Sequence, residues 1–543
     1  MNRNTLLGIL LIFAIFFLSE RFIWKKAKPQ PVKTDKQEQT TPAETTTQPD
    51  IKPTDQLPLG ILPDDPYLTE VNDNIVLEND SLKLVFSNKG AVIREAYLKK
   101  FLLVDKSIVQ LIPANKQIAN TILFSENSST DLKNLPFDYE MTDVNGQPGV
   151  RFSFTPEPDY IIEKTYVLDY NYGIKLNLKV HNVYSLTGYS LGFGSGIQDT
   201  EEFLKTKGMD YKFYAQIDNM LVKKDLNKLN KNTLQQNGKV EWAAIRSKYF
   251  VIACNDLSPV LMNSVKADTS SGSPAFVLTT RRDKPSIDWE EDFLIYLGPS
   301  SIESLRSHGN GMENIAERGA KWLRWLVDIF AWFLSFLYRL IPNYGIVIIV
   351  FSIVLKIVLH PFTHKSMDAS LKMQKIQPQV SALQQQYKSD PKRMQQELSK
   401  LYKEAGASPL GGCLPMLLQM PVFFALYSVL RYSLDMRQAY FVGWLKDLSE
   451  PDPYYILPIL MGIFMIIQQL MMKPKKEQLE QMDEKQQAMQ QSQKMMAWIL
   501  PVVLFFVFKS MPAGLVLYWT VFNVLSIIQQ YYLQKHLNRK DTL

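Results

Sequence analysis

The stretch YGIVIIVFSIVLKIVLHP, residues 344–361, decides the fold. Its side chains are almost all apolar, and it has about the 20 residues that cross a bilayer's hydrocarbon core. A single charge, Lys356, lies well inside it. Working outward, four further apolar runs follow at 414–431, 454–472, 495–511 and 513–533, the last two joined through Ser510-Met511-Pro512-Ala513-Gly514. They predict a five-span membrane core over 344–534 with a short tail at 535–543.

Upstream, the apolar residues change period. Over 313–341, Trp322, Trp325, Leu326, Ile329, Phe333, Phe336, Leu337 and Leu340 fall on one broad helical face, interrupted by Lys321, Arg324, Asp328 and Arg339. These charges suit an amphipathic helix lying in the membrane interface, ended by Ile341-Pro342-Asn343. Over 66–300 the period is two: Leu82, Leu84 and Phe86 alternate with polar residues, as do Val150, Phe152 and Phe154, and Ile174 through Val180. Many half-buried strands in one region predict an antiparallel β-sandwich. Residues 25–65 are rich in Lys, Pro, Gln, Thr and Asp and predict a disordered linker. Residues 5–19 are apolar and are followed by the bulky and charged residues 20–26 rather than a small-residue cleavage site, which predicts an uncleaved signal anchor over 1–24.

Loop charge sets the orientation. The 362–412 loop carries Lys365, Lys372, Lys375, Lys388, Lys392, Arg393, Lys400 and Lys403; the 473–494 loop and the tail are also basic, and 432–453 is slightly acidic. The positive-inside rule places the basic loops and both termini in the cytoplasm and the β-domain outside. Arg21, Lys25, Lys26 and Lys28 oppose this, but a long exported domain translocates with little regard for such flanks. Within the loop, one stripe runs through Met367, Leu371, Ile376, Val380 and Leu383, and a second through Met394, Leu398 and Leu401 behind an Asp390-Pro391 start. They predict a helical hairpin with a basic outer face, which serves either as a docking surface or as a plain solvated face.

Composition narrows the chemistry. The net charge of +6 over 543 residues is small and not gathered into an exported patch, so nucleic acid is not an indicated partner. Cys254 and Cys413 form no close-spaced pair, so neither a zinc site nor a disulfide framework is indicated, and no metal or cofactor is expected. His181 is the one histidine among the β-strands; no acid/base pair, phosphate loop or nucleophile motif accompanies it, and no catalytic residue is assigned. In the membrane core, Lys356 with Ser352 one turn away, Gln419, Tyr518, Trp519, Thr520 and Asn523 are the polar candidates. Spacing leaves two placements for Lys356: facing the bundle interior, or snorkelling past Pro361 to the headgroups.

Ser408-Pro409-Leu410-Gly411-Gly412-Cys413-Leu414-Pro415, with Gln419-Met420-Pro421 behind it, closely resembles the signature of the YidC family of membrane-protein insertases. The likeness continues through Asp452-Pro453-Tyr454-Tyr455 and Pro512-Ala513-Gly514-Leu515. Anchor, linker and large β-domain resemble the Gram-negative members. The resemblance implies a multi-pass inner-membrane protein, not an enzyme, with a periplasmic antiparallel β-supersandwich like sugar mutarotases but without their catalytic residues. It implies a hydrophilic groove whose positive residue draws in a client's outer segment, Lys356 standing where familiar members carry arginine and Trp519 where a second tyrosine is common. The implied partners are nascent inner-membrane proteins and membrane lipids, with the Sec translocon, the ribosome and targeting factors beside them; Lys372, Lys375, Lys392, Arg393, Lys400 and Lys403 are the docking candidates. Two other classes fit the sequence less well. A secondary transporter or channel lacks the expected inverted repeat and paired intramembrane carboxylates; a polysaccharide binder does not need so elaborate a membrane part.

Overall fold

The computed structural model describes residues 70–126, 128–155, 159–183, 186–258, 262–270, 272–407, 414–471 and 498–540. The expected anchor, the linker, the motif residues Pro409, Leu410, Gly411 and Gly412 with their neighbours, and the 473–494 loop lie outside the described residues.

The region read as strands folds as two antiparallel sheets. A 14-stranded sheet runs from Ser129–Asp131 through Asn120–Ser125, Leu186–Phe193, Ser273–Ser286, Met262–Ser270 and Leu234–Arg246. It continues through Phe250–Asp256, Trp289–Pro299, Gly173–His181, Ile161–Leu168 and Gln147–Phe154 to Asp138–Val144, and the Lys212–Ile217 and Met220–Asp225 hairpin joins off this path on Leu234–Arg246. Leu234–Arg246 links its halves, pairing first with Met262–Ser270 and then, past a bulge, with Phe250–Asp256. The bulge needs Gly238: its φ is +143°, and a Cβ there would sit 2.3 Å from an Asp218 carboxylate oxygen. A smaller sheet, Ile75–Glu78 to Ile108–Gln110, packs on the larger one through Phe86, whose ring lies 4.9 Å from Tyr166 and 5.8 Å from Phe152. Fully buried Lys164 ties the two together by donating to the carbonyls of Gly90, Ala91 and Ala119 at 2.9–3.3 Å. Burial pushes its ammonium down to about 7. The alternating residues picked from sequence point inward, as Val150, Phe152, Ile174 and Leu176 show.

The rest is helical: α1 Arg324–Leu340, α2 Tyr344–Gln386, α3 Pro391–Glu404, α4 Leu414–Tyr432, α5 Ile456–Met471, α6 Trp498–Phe508 and α7 Ala513–Lys540. Two of these, α2 and α7, contain stretches long and apolar enough to span a membrane, and α5 and α6 are shorter apolar helices. Asn343 caps α2 by accepting from the Ile346 N–H, and Asp390 caps α3 through the Arg393 N–H. Between Tyr344 and α4 there is one difference from expectation. The helix does not stop at Pro361; it runs on through Pro378, so the first span and the first hairpin arm are one continuous element. A proline removes a single backbone donor, and flanking turns can carry the helix past it.

Helix α1 also differs. It begins at Arg324 rather than near 313, and the face packed on the bundle is Val327, Phe330, Leu334 and Leu337. Trp325, Ile329, Trp332, Phe336 and Leu340 point away from the protein. Both faces are apolar, one packed on the protein and one exposed. The residues grouped from sequence were chiefly the outward ones.

Candidate functional site

Helix α7 lies against α2, α4 and α5, and its polar side chains meet those of its neighbours along one buried seam. Lys356 is only 8% exposed. Its Nζ donates to Ser526 Oγ at 2.7 Å and sits 4.3 Å from the centroid of the Phe522 ring. Gln419 on α4 donates to the Tyr518 hydroxyl at 2.5 Å. Ser352, fully buried, and Thr520 return their hydroxyls to their own helices, at Ile348 and Val516. Asn523 is buried with its amide nitrogen unpartnered among the described residues. Trp519 points elsewhere, packing 5.4 Å from Phe423 and 5.3 Å from Phe508 in an apolar layer.

Two residues extend the seam beyond the sequence candidates. Gln530 is 1% exposed with an unpartnered side-chain oxygen, and Gln529 donates to Thr363 and approaches His360 on α2. The spacing Thr520, Asn523, Ser526, Gln530 was a readable helical stripe. Pro421 sits inside α4, and Pro415 lies in its first turn. At the far end of α2, α3 folds back over a small core of Ile376, Val380 and Ala407. The six candidate cations of this hairpin are all exposed, with Lys372 reaching Asp368 and Lys400 reaching Glu397, both at 2.9 Å.

A second buried polar cluster was not anticipated. The β-domain meets the end of α4 and the 433–453 loop, and that loop packs on the first turns of α2 and α7. Asn343 donates to Phe441 O, and the Ala513 N–H to Glu450 O. The first turn of α2 meets that loop so closely that a Cβ on Gly345 would lie 1.9 Å from the Phe441 ring. Arg431 on α4 makes a two-pronged ion pair with Asp210 at 2.8 and 3.0 Å, both side chains 4% exposed. Arg437 binds Glu201 at 2.7 Å, and Lys248 binds Glu450 at 2.7 Å and Ser449 O at 3.1 Å. Glu317, on the connection to α1, receives Lys212 and Tyr214 at 2.7 Å and Lys223 besides. Burial alone would raise this carboxyl, but Lys212, Lys223 and Arg246 outweigh it and hold it well below the usual carboxylate range. Burial dominates at Glu450 and pushes it up to about 7, against the pull of Lys248. His181 stands apart, exposed and paired with Asp288 at 2.7 Å. Among the described residues, no three potential ligands group to hold a metal.

Known proteins share this architecture. Residues 336–540 match the family described as 60Kd inner membrane protein, and residues 74–333 match the YidC periplasmic domain. The membrane protein insertase YidC of Geotalea daltonii is 33% identical over 489 residues, covering 86% of this chain and 87% of its own. That of Pelodictyon phaeoclathratiforme is 30% identical over 586 residues, covering 100% and 96%. A crystal structure of an active YidC insertase with its first transmembrane domain resolved aligns over 86% of this chain and 94% of its own, with a TM-score of 0.36 at 18% identity. A galactose mutarotase related enzyme from Lactobacillus acidophilus aligns over 41% of this chain and 97% of its own, with a TM-score of 0.30 at 13% identity. With both halves of the chain matched and relatives alike over nearly their whole length, the protein belongs to the YidC family of membrane-protein insertases, inner-membrane proteins that carry a periplasmic domain.

Proposed function

We propose that the seam between α2, α4 and α7 is the client path of this insertase and that Lys356 is its positive residue. One observation carries the reading: Lys356 is buried, yet its partners are a neutral hydroxyl and an aromatic face. A buried ammonium without a carboxylate is costly, so its retention calls for a functional return. Its nitrogen turns to α7, which favours the interior placement over snorkelling. The client's polar outer segment enters between α2 and α7, trades the Ser526 contact for its own carboxylates or carbonyls, and is held at reduced dielectric, where the charge acts more strongly than in water. Burial of the client's apolar segment in lipid, at about 25 cal/mol per Å², then drives release sideways without nucleotide hydrolysis.

In this reading the chain crosses the membrane six times with both termini in the cytoplasm. Boundaries follow the sequence assignments except at the interfacial helix, taken as Arg324–Leu340: anchor 1–24, linker 25–65, β-domain 66–300, core 344–534 and tail 535–543. The α2–α3 hairpin is cytoplasmic, and its exposed cations receive clients from the ribosome and targeting factors; the Sec translocon works beside the core on larger clients.

The test is a client series graded in outer-segment charge, inserted into proteoliposomes. Lys356→Arg is expected to preserve insertion, whereas Lys356→Ala and Lys356→Glu slow the acidic clients most. An unchanged series with alanine overturns the reading.

A further inference from the structure

Arg437 and Arg431 fix more than domain docking. Arg431 closes the last turn of α4, and Arg437 follows a short turn beyond it, so both lie at the membrane surface on the β-domain's side. Arg431 binds Asp210 and Arg437 binds Glu201, so the 202–209 segment is pinned at both ends to the level where α4 leaves the bilayer. The guanidinium of Arg437 and the amide of Gln438 also donate to Leu102 O at 2.8 and 3.1 Å, which fixes the start of the 102–108 hairpin at the same level. A loop held there meets lipid before it meets bulk water.

Both loops have the wrong surface for water. Leu102, Val104 and Ile108 are 44–55% exposed on one; Leu204 and Met209 are 41% and 56% exposed on the other. Lys100, Lys106 and Lys205 are exposed among them. By contrast the Asn145-Gly146 and Asp218-Asn219 turns of the same domain present small polar residues in the left-handed region. Single exposed apolar residues need no explanation, but five on two loops anchored to one arginine turn make a patch. Apolar tips flanked by lysines match the boundary between acyl chains and phosphates.

We propose that the 102–108 and 202–209 loops dip into the outer phospholipid leaflet, so that the β-domain rests on the membrane beside the core as well as on the core itself. Lys100, Lys106 and Lys205 then face lipid phosphates. The inference rests on the reading that α4 spans the bilayer with its Tyr432 end on the β-domain's side.

The experiment uses the full-length chain carrying Cys413→Ser, with the fully buried Cys254 retained, in phosphatidylcholine–phosphatidylglycerol vesicles. A fluorescent thiol label is placed by Val104→Cys or Leu204→Cys. Ile287→Cys, beyond the far end of the Trp289–Pro299 strand from the membrane contacts, is the aqueous reference; Ile357→Cys, on the exposed apolar face of α2, is the bilayer reference. Labels at 104 and 204 are expected to be quenched by nitroxide lipids several-fold more than the label at 287. Quenching by aqueous iodide but not by lipid overturns the proposal, as does shielding from both quenchers, which would signal protein covering the loops. Failure of the spanning reading shows separately, as loss of lipid quenching at 357 and at a further label placed by Phe424→Cys on the exposed side of α4.

Discussion

Two buried polar clusters lie within one chain, and they are built on opposite principles. Between the β-domain and the helix ends, the four carboxylates Asp210, Glu201, Glu450 and Glu317 each meet a cation, from Arg431, Arg437, Lys248, Lys212 and Lys223, with both oxygens of Asp210 on Arg431 Nη2. Along the seam, Lys356 has a hydroxyl for a partner, while Asn523 and Gln530 each keep an unpartnered polar atom. Opposite charges in contact hold two surfaces in one arrangement. Open valences are costly at rest and become useful when a polar segment arrives to complete them. The first cluster is expected to govern stability and the second activity.

The largest expected effect lies in the interface. Asp210→Ala leaves Arg431 buried without its carboxylate, at a cost of about 3–5 kcal/mol. Thermal unfolding in detergent and protease resistance of the β-domain should both fall. Removing the whole 66–300 region while keeping the segment from 313 onward should do less harm to the core, because the same arginine then reaches water. Insertion should remain measurable in that deletion. A deletion whose core is less stable than that of Asp210→Ala would break the contrast between a stranded and a solvated charge.

A pH titration sharpens the same comparison, because two carboxyls of the interface are displaced in opposite directions. Glu317, held well below its ordinary 4.5, contributes stability above that value and loses it as pH falls further. Glu450, raised from 4.5 to about 7, behaves the other way: its ionisation opposes the docked state, so stability declines as pH climbs from 4.5 through 7. Docking should be firmest in mildly acid solution. Glu450→Gln should flatten the neutral limb of the Tm–pH curve and leave the acid limb, which belongs to Glu317.

These clusters were not equally legible beforehand. The sandwich could be read because period-two alternation reports burial locally, and Lys356 because one charge stands out in an apolar run. Gln530 was within reach, since it extends a stripe on a single helix. The Asp210–Arg431 pair was not: its members are 221 residues apart, and each alone looks like an ordinary surface charge. Helix α1 misled for a different reason. Amphipathic reading assumes that the apolar residues mark the packed face, and here the exposed face is apolar as well. The unbroken α2 shows a similar limit, because a proline weakens a helix without saying whether packing will carry it through.

The smallest expected change in stability belongs to the residue with the largest expected role in activity. In Lys356→Met, an unbranched apolar chain of similar length replaces a buried cation that has no carboxylate partner. Ser526 already gives its hydroxyl to Phe522 O at 2.8 Å, so it is not stranded by the loss of the ammonium. The desolvation cost of the ammonium disappears, and the methionine thioether packs against the Phe522 ring. Tm should hold or rise by a few degrees while insertion of acidic-tailed clients slows, the sign pattern of a site kept for function at the expense of stability. A fall in Tm comparable to that of Asp210→Ala would mean that Lys356 is structural, and that the seam and the interface are two versions of the same device.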